Sequence, residues 1–474
     1  MSIMEGLRPQ EALHYFEELC AIPHGSRDTK RISDYCVRFA REHGLRYVQD
    51  EHNNVVIYKN GTPGYEDHPT VILQGHLDMV CEKDADCDID FSKDGLRLRH
   101  DGKFIFAEGT TLGGDDGIAV AYALAVLAAT DLKHPPLEAV FTVDEEIGML
   151  GADAMDMSVL RGRVLLNCDS EDEGILTVSC AGGATSRLTL PIGREACSGR
   201  IRRMAVRNLT GGHSGVEINK GRANANKVLA AILEKLPVRL ISIDGGSKDN
   251  AIPHSCQANV VAMGIGLERI NTIAAELQAE LREKYDEPEL VVQAFDVDAL
   301  GGNSLTTEDT ARAVALLCAV PNGVQSYSAD IPGLVQTSLN LGVAKLGEQF
   351  SLTFSVRSSV NQEKEELLKK LRELCAFYDG SYSQMGEYPA WEYRKDSPLR
   401  DTMVKLYTQM YGKEPEVVAI HAGLECGLLA QKLPGLDCVS IGPQMHDIHT
   451  SREKLEIAST RRVWDFLCAV LKEL

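Results

Sequence analysis

The stretch Val71–Lys83, VILQGHLDMVCEK, decides how the chain is read. Val71, Ile72 and Leu73 form a short apolar run, the pattern of a strand buried on both faces. It ends at Gln74-Gly75, and His76 and Asp78 follow two residues apart. Side chains two apart on extended backbone leave the same face. A neutral imidazole is a good ligand for a divalent transition metal, and a neighbouring carboxylate can accept its second ring N–H and fix the tautomer. Taken alone, the tripeptide is equally a histidine capping a strand end on a polar rim.

Outward from that stretch the pattern repeats. Residues 137–143, LEAVFTV, read as a buried strand and run directly into Asp144-Glu145-Glu146. Three adjacent carboxylates are costly unless something positive sits beside them. Residues 164–168 read as another buried strand, ending in Asp169. Residues 107–117, AEGTTLGGDDG, form a glycine-rich turn that carries Asp115 and leads into an apolar helix over 118–129. Such a turn before a helix suits phosphate, but neither GxGxxG nor GK[ST] is present, and two aspartates at the helix start suit a cation instead. Three strands and one turn therefore deliver a histidine or carboxylate at their C-terminal ends. In an open α/β sheet that edge is where ligands bind.

The 474 residues exceed one ordinary core, so two or three domains are expected. With 44% hydrophobic and 25% charged residues the composition is that of a soluble globular protein. The net charge of −20 disfavours nucleic acid and anionic membranes as partners. Thirteen cysteines without a CxxC pair, several in apolar runs, read as reduced thiols in a cytoplasmic setting. No signal peptide and no 18-residue apolar span is present.

The same α/β texture covers the first 181 residues and returns from about 391 to 474. Between them, residues 182–390 alternate strands with amphipathic helices over 224–236, 271–285, 308–319 and 362–377. The chain is thus read as a mixed-sheet α/β catalytic domain (1–181 and 391–474) interrupted by an inserted α+β lid domain (182–390). Two tandem α+β halves are expected in the lid, split near Gly301-Gly302. Insertion of this kind is common where one domain moves over another.

Together His76, Asp78, Asp115, Glu145, Glu146, Asp169 and His449 make a constellation. Two histidines and three carboxylates can hold two divalent ions about 3.5–4 Å apart, with one carboxylate bridging. One remaining carboxylate is then free to act as general base and one to orient a histidine. His446 competes with His449, which heads an H-[ST]-x-x-E pattern.

The segments GHLDMV, GTTLGGDDGIA, TVDEEIGMLGA, LLNCDSE, LTGGHSG and IHTSREKL resemble the motifs of the M20 metallopeptidases, and most of all their aminoacyl-histidine dipeptidase branch. The resemblance spans nearly the whole chain. It implies a zinc-peptidase-like catalytic domain and two metal ions, usually zinc, with cobalt or manganese as alternatives. Asp115 would bridge them, His76 and Asp169 completing one site and Glu146 and His449 the other. Asp78 would orient His76. Glu145 would be the general base, passing a proton from a metal-bridging water to the leaving amine. His213, in GGHSG, resembles an oxyanion-stabilising histidine. Asn250 and Arg357 resemble groups that hold a substrate's C-terminal carboxylate, and Gly423, in HAGLECG, a backbone position lining the substrate pocket. The resemblance also implies a cis peptide between Asp115 and Asp116.

The implied activity is hydrolysis of dipeptides with a free C-terminal carboxylate, Xaa-His and broader, the substrates being small molecules; a homodimer is left open. Three departures stand out: Asp116 where the subgroup often has Asn, His254 where Arg is usual, and Ser451 where Pro is usual. Deacylation of N-acyl amino acids on the same metal core is the alternative activity. A non-catalytic scaffold is disfavoured because all seven positions are kept. A nucleotide-binding role is disfavoured because GTTLGGDDG has no phosphate-binding lysine.

Overall fold

The computed structural model describes residues 2–474. They form two compact units. The first comprises the chain through Ser179, Tyr393–Ala419 and Leu424–Leu474; the second comprises Cys180–Glu392 and Ile420–Gly423. The sequence divides the chain at 181/182 and 390/391, whereas the compact units part at 179/180 and 392/393, and residues 420–423 fall with the second.

The first unit is built on an eight-stranded sheet. Its spatial order is Arg46–Gln49, Val55–Lys59, Leu137–Thr142, Val71–His76, Val164–Asn167, Asp437–Ser440, Ile175–Cys180, Glu416–Ile420. The four central strands, from Leu137–Thr142 to Asp437–Ser440, run parallel. Every residue of Val71–His76 and of Leu137–Thr142 is buried, as continuous apolar runs covered on both faces require. The helix Gly114–Ala128 is apolar all round, which is why it packs inside rather than on a surface. Its Tyr122 hydroxyl donates to the Thr460 carbonyl at 2.8 Å, tying it to the C-terminal helix Ile457–Glu473. His76 pairs with Thr142, and Gln74 with both Val140 and Asn167, so the three strand ends that carry the chemistry lie side by side.

A small four-stranded antiparallel sheet, Met445–His446, Lys454–Glu456, Phe104–Ala107 and Leu98–His100, brings the 447–453 loop beside the segment that leads into the glycine-rich turn.

The second unit carries a nine-stranded antiparallel sheet packed by four long helices, Ala225–Glu234, Leu267–Tyr285, Thr307–Ala319 and Asn361–Phe377. The expectation of two tandem halves split at Gly301-Gly302 is corrected here. The glycine pair lies inside the strand Val291–Leu305, where Gly302 faces Cys197, and both glycines take positive φ (69° and 147°) at an irregularity in the ladder. Glycine is used there because L side chains strain in that region, not because a domain ends. The two groups of strands merge into one sheet where Ile243, Asp244 and Gly245 pair with Leu346, Lys345 and Ala344. That pairing joins positions about a hundred residues apart, and no local periodicity announces it.

Among the described residues no helix is long and apolar enough to cross a membrane. Leu166 is fully buried at the centre of the parallel strands. Leu166→Ala should lower the unfolding free energy of the metal-free protein by ~3 kcal/mol, the usual size for a buried leucine that leaves a cavity. Urea denaturation followed by far-UV circular dichroism measures it.

Candidate metal centre

His76 ends its strand with its side chain buried. Its Nδ1 lies 2.9 Å from the Asp78 backbone carbonyl and 3.5 Å from Asp78 Oδ1, so the main chain supplies the closer partner. The Asp78 carboxylate is also held by the Ser26 hydroxyl at 2.8 Å and by the N–H groups of Glu145 and Glu146 at 3.0 and 3.4 Å. Burial raises the Asp78 pKa, but the His76 ring, the Ser26 hydroxyl and the Glu145 N–H outweigh it and hold the carboxyl below its ordinary value. One buried aspartate thereby fixes both the histidine and the backbone that presents the two glutamates.

The glycine-rich turn reaches the same place from the side. Gly113 takes φ +68°, and Asp115 and Asp116 leave helical geometry at the start of Gly114–Ala128. The Asp115–Asp116 peptide is cis, as the resemblance implies. Asp115 Oδ1 lies 3.0 Å from His76 Nε2, and Asp115 Oδ2 lies 3.0 Å from His449 Nε2. One carboxylate thus spans both histidines. Glu146 Oε1 is 3.0 Å from His449 Nε2, and Asp169 Oδ1 is 3.8 Å from His76 Nε2. His449 rather than His446 meets the cluster; His446 packs edge-on against Phe104, 5.6 Å between ring centres.

Asp116 is fully buried, with Oδ2 accepting from the His76 N–H at 3.2 Å and Oδ1 without a partner. Burial, followed by neighbouring carboxylates, drives Asp116 and Asp169 well above the usual carboxylate range. Burial likewise pushes Glu145 up to about 8, aided by Glu425, Asp115 and Glu146 and opposed by His76. His449 is raised to about 10 by Asp115 and Glu146.

These residues fit divalent ions. Two sets of donors have ligand atoms within 4.8 Å of one another: His76, Asp116 and Asp169, and His76, Asp115 and Glu146. Nitrogen and oxygen donors around one tetrahedral zinc lie about 3.3 Å apart, and the spacings here run from 3.0 to 3.8 Å. A carboxylate crowd with an orphaned buried oxygen is what a cation relieves. Asp116, read from sequence only as an added charge, sits among the candidate donors.

Sequence reasoning missed the supports beneath this cluster. Glu425 is fully buried; its Oε2 accepts from Gln74 Nε2 at 2.6 Å and the Thr142 hydroxyl at 2.5 Å. Gln74 Oε1 accepts from Asn167 Nδ2 at 2.6 Å, and Asn167 Oδ1 from the Asp169 N–H at 3.3 Å. This network cross-ties the three strands that deliver His76, the glutamate pair and Asp169. The one available signal was a glutamine, an asparagine and a threonine at the ends of otherwise apolar strands. Glu453, also missed, accepts N–H groups from the glycine-rich turn.

His213, Asn250, Arg357 and Gly423 lie in the second unit and gather there with two residues not singled out, Tyr388 and His421. His213 Nδ1 accepts the Gly215 N–H at 3.1 Å, which leaves the ring proton on Nε2; burial and then Arg357 lower its pKa. The Ser214 N–H donates to the Asn250 carbonyl at 2.9 Å. Arg357 Nη1 donates to the Tyr388 hydroxyl at 3.3 Å, while its buried Nε has no partner. His421 Nε2 lies 2.7 Å from the Ser338 hydroxyl, and burial and then Arg357 push its pKa down to about 4. A Cβ at Gly423 would sit 2.7 Å from the Tyr388 ring, so that position needs glycine for close approach.

Comparison with known proteins places the chain among characterised relatives. The chain is 36% identical over 485 residues to the cytosol non-specific dipeptidase of Escherichia coli (strain K12), covering 100% of this chain and 99% of that protein. It superposes on the crystal structure of aminoacylhistidine dipeptidase from Vibrio alginolyticus with a TM-score of 0.94 at 35% identity, covering 100% and 98% of the two chains. Aminopeptidase PepT from Bacillus cereus ATCC 10987 shares the fold, with a TM-score of 0.57 at 14% identity over 98% of this chain and 99% of that one. Residues 72–473, which contain every candidate metal ligand, match peptidase family M20/M25/M40, and to that family the chain belongs.

Proposed function

We propose that this chain is a metal-dependent dipeptidase that hydrolyses the peptide bond of dipeptides with a free C-terminal carboxylate. The observation that carries this reading is the Asp115 carboxylate set between His76 and His449, 3.0 Å from each, with Glu145 close enough to feel the charges of Asp115 and His76. The E. coli relative, matched along its whole length, is named as a dipeptidase. Two divalent ions, zinc in the first place, would be held by His76, Asp115 and Asp169 and by Asp115, Glu146 and His449. When bound, such ions supply Lewis acidity to a carbonyl and make water acidic near neutral pH.

The residues of the chain do the rest. Glu145 takes the proton of the attacking water and returns it to the leaving amine. Asp78 holds His76 and the Glu145–Glu146 backbone in place. In the second unit, His213 offers an Nε2–H suited to a developing oxyanion. Arg357, steadied by Tyr388 and with its Nε unpaired, suits a terminal carboxylate, alongside Asn250 and the backbone of Gly423. Thirteen cysteines, all free, suit a reducing cytoplasm.

A panel of unblocked dipeptides, including Xaa-His, against N-acetyl amino acids tests the reading: dipeptides should be turned over and the acetylated compounds should not, and the reverse would make the protein a deacylase. Glu145→Ala should lower kcat by about 10²–10⁴ with metal content intact, whereas Glu146→Ala should lose metal; elemental analysis beside kinetics separates base from ligand. The raised Glu145 pKa has a stability consequence in the metal-free protein. Below the unfolded value near ~4.3 both states hold the proton and nothing is lost. From there up to about 8 the native state alone keeps it, so stability falls as pH rises. Glu145→Gln should therefore raise Tm relative to wild type at pH 8.5 and leave it close to wild type at pH 4.5, measured by calorimetry after chelation.

A further inference from the structure

The two halves of the candidate centre are supported very differently. His76 and Asp169 follow directly from parallel strands, and His76 is 1% exposed. His449 instead stands on the 447–453 loop, takes φ +58°, and leaves 45% of its side chain exposed. Most contacts of that loop are internal: Thr450 Oγ1 donates to the Asp447 carbonyl at 2.8 Å, the Arg452 N–H to Thr450 Oγ1 at 3.1 Å, and the Glu453 N–H to the Thr450 carbonyl at 3.1 Å. Ser451 also meets Asp84, an exposed contact. None of these explains how His449 stays opposite Asp115.

Glu453 does. Its side chain is buried, and its two oxygens accept four consecutive N–H groups: Leu112 at 2.7 Å and Gly113 at 3.1 Å on Oε2, Gly114 at 2.8 Å and Asp115 at 3.4 Å on Oε1. These donors lie in the turn that leads, through the kink at Asp115 and Asp116, into the regular part of the helix, and a run of consecutive N–H groups in such a turn favours an anion. The last of them belongs to Asp115 itself. Glu453 follows His449 by four positions, so one short loop carries both a metal-ligand candidate and the clamp that grips the turn bearing its partner.

We infer that Glu453 is a positioning residue that locks the His449 loop to the Asp115 turn and so sets how tightly the Glu146/His449 site holds its ion. The inference rests on the dinuclear reading above. The His76/Asp169 site shares Asp115 but takes its other two ligands from strand ends, so it depends on the clamp less. Glu453→Gln keeps the shape but turns one acceptor into an NH2 group; in either orientation two N–H donors then face a donor. Gly114→Ala attacks the same contact from the other side. Its Cβ would meet Glu453 Oε1 and Met445 Sδ, each at 3.1 Å, and no positive φ is involved.

The test is Zn²⁺ titration by calorimetry into the chelator-stripped full chain, with bound metal counted by elemental analysis, for wild type and both variants. The wild type should bind two ions. Each variant should bind the second ion 10–100-fold more weakly, the usual loss when a group behind a ligand is removed, and the tighter ion with a smaller loss. Hydrogen exchange on the metal-free proteins adds a readout independent of metal: the amides of Leu112, Gly113 and Gly114 should lose protection in Glu453→Gln. Two ions held with wild-type affinity by both variants, or unchanged exchange at those amides, overturns the clamp. Fewer than two ions on the wild type itself overturns the dinuclear reading, and the clamp's metal role with it. If Glu453→Gln does not fold, Gly114→Ala carries both measurements.

Discussion

A single carboxylate placed between two imidazoles, each 3.0 Å away, is the constraint around which the first unit is arranged. Asp115 cannot occupy that position alone, because Asp116, Glu145, Glu146 and Asp169 crowd the same few ångströms. Burial opposes the ionisation of each, and like charges so close add to the opposition. Asp116, Asp169 and Glu145 are all raised for these reasons, whereas Asp115, bracketed by two rings, is held below the carboxylate range. Such a cluster is unfavourable as a fold element and becomes favourable when cations arrive. Its geometry must therefore be imposed by what surrounds it.

The surroundings do this with buried hydrogen bonds. Asp78 gathers the glutamate backbone, Glu425 bridges Gln74 and Thr142, and Asn167 reaches the Asp169 N–H. Each support is a polar group in an apolar setting. Removing one partner of such a pair leaves the other unsatisfied, at a cost of ~1–3 kcal/mol. The supports are thus held as tightly as the groups they orient. Parallel strands supply the coarse placement and the polar network the final adjustment.

How much of this was legible in the sequence follows from where each partner lies along the chain. His76 and Asp78 are two residues apart on a strand end, Glu145 and Glu146 adjacent, and Asp169 one residue past another buried run; local pattern exposes all of them. His449 was legible through its spacing to Glu453, although the purpose of Glu453 was not. Its acceptors' donors lie some 340 residues earlier, at Leu112 to Asp115. Glu425 meets Gln74 across 351 residues. Contacts of that separation leave no periodic trace. The same blindness explains the second unit, where strand pairing between 243–245 and 344–346 makes one sheet of what reads as two. Gly423 shows the opposite case: a resemblance marked it, and the Tyr388 ring explains it physically.

The site histidines of the two units are tuned in opposite directions, and the difference is chemically coherent. In the first unit acidic neighbours raise His449 to about 10, so the metal-free ring holds a proton near pH 7 that a bound cation would have to displace. In the second unit burial and Arg357 push His421 down to about 4 and lower His213, so both rings stay neutral near pH 7. Neutrality there leaves the permanent guanidinium of Arg357 as the charge a carboxylate would meet, with its Nε still unpaired. A charged histidine beside it would draw anions without the two-pronged geometry that distinguishes a carboxylate. A neutral His213 with its proton on Nε2 can donate a hydrogen bond without attracting the carboxylate away from Arg357.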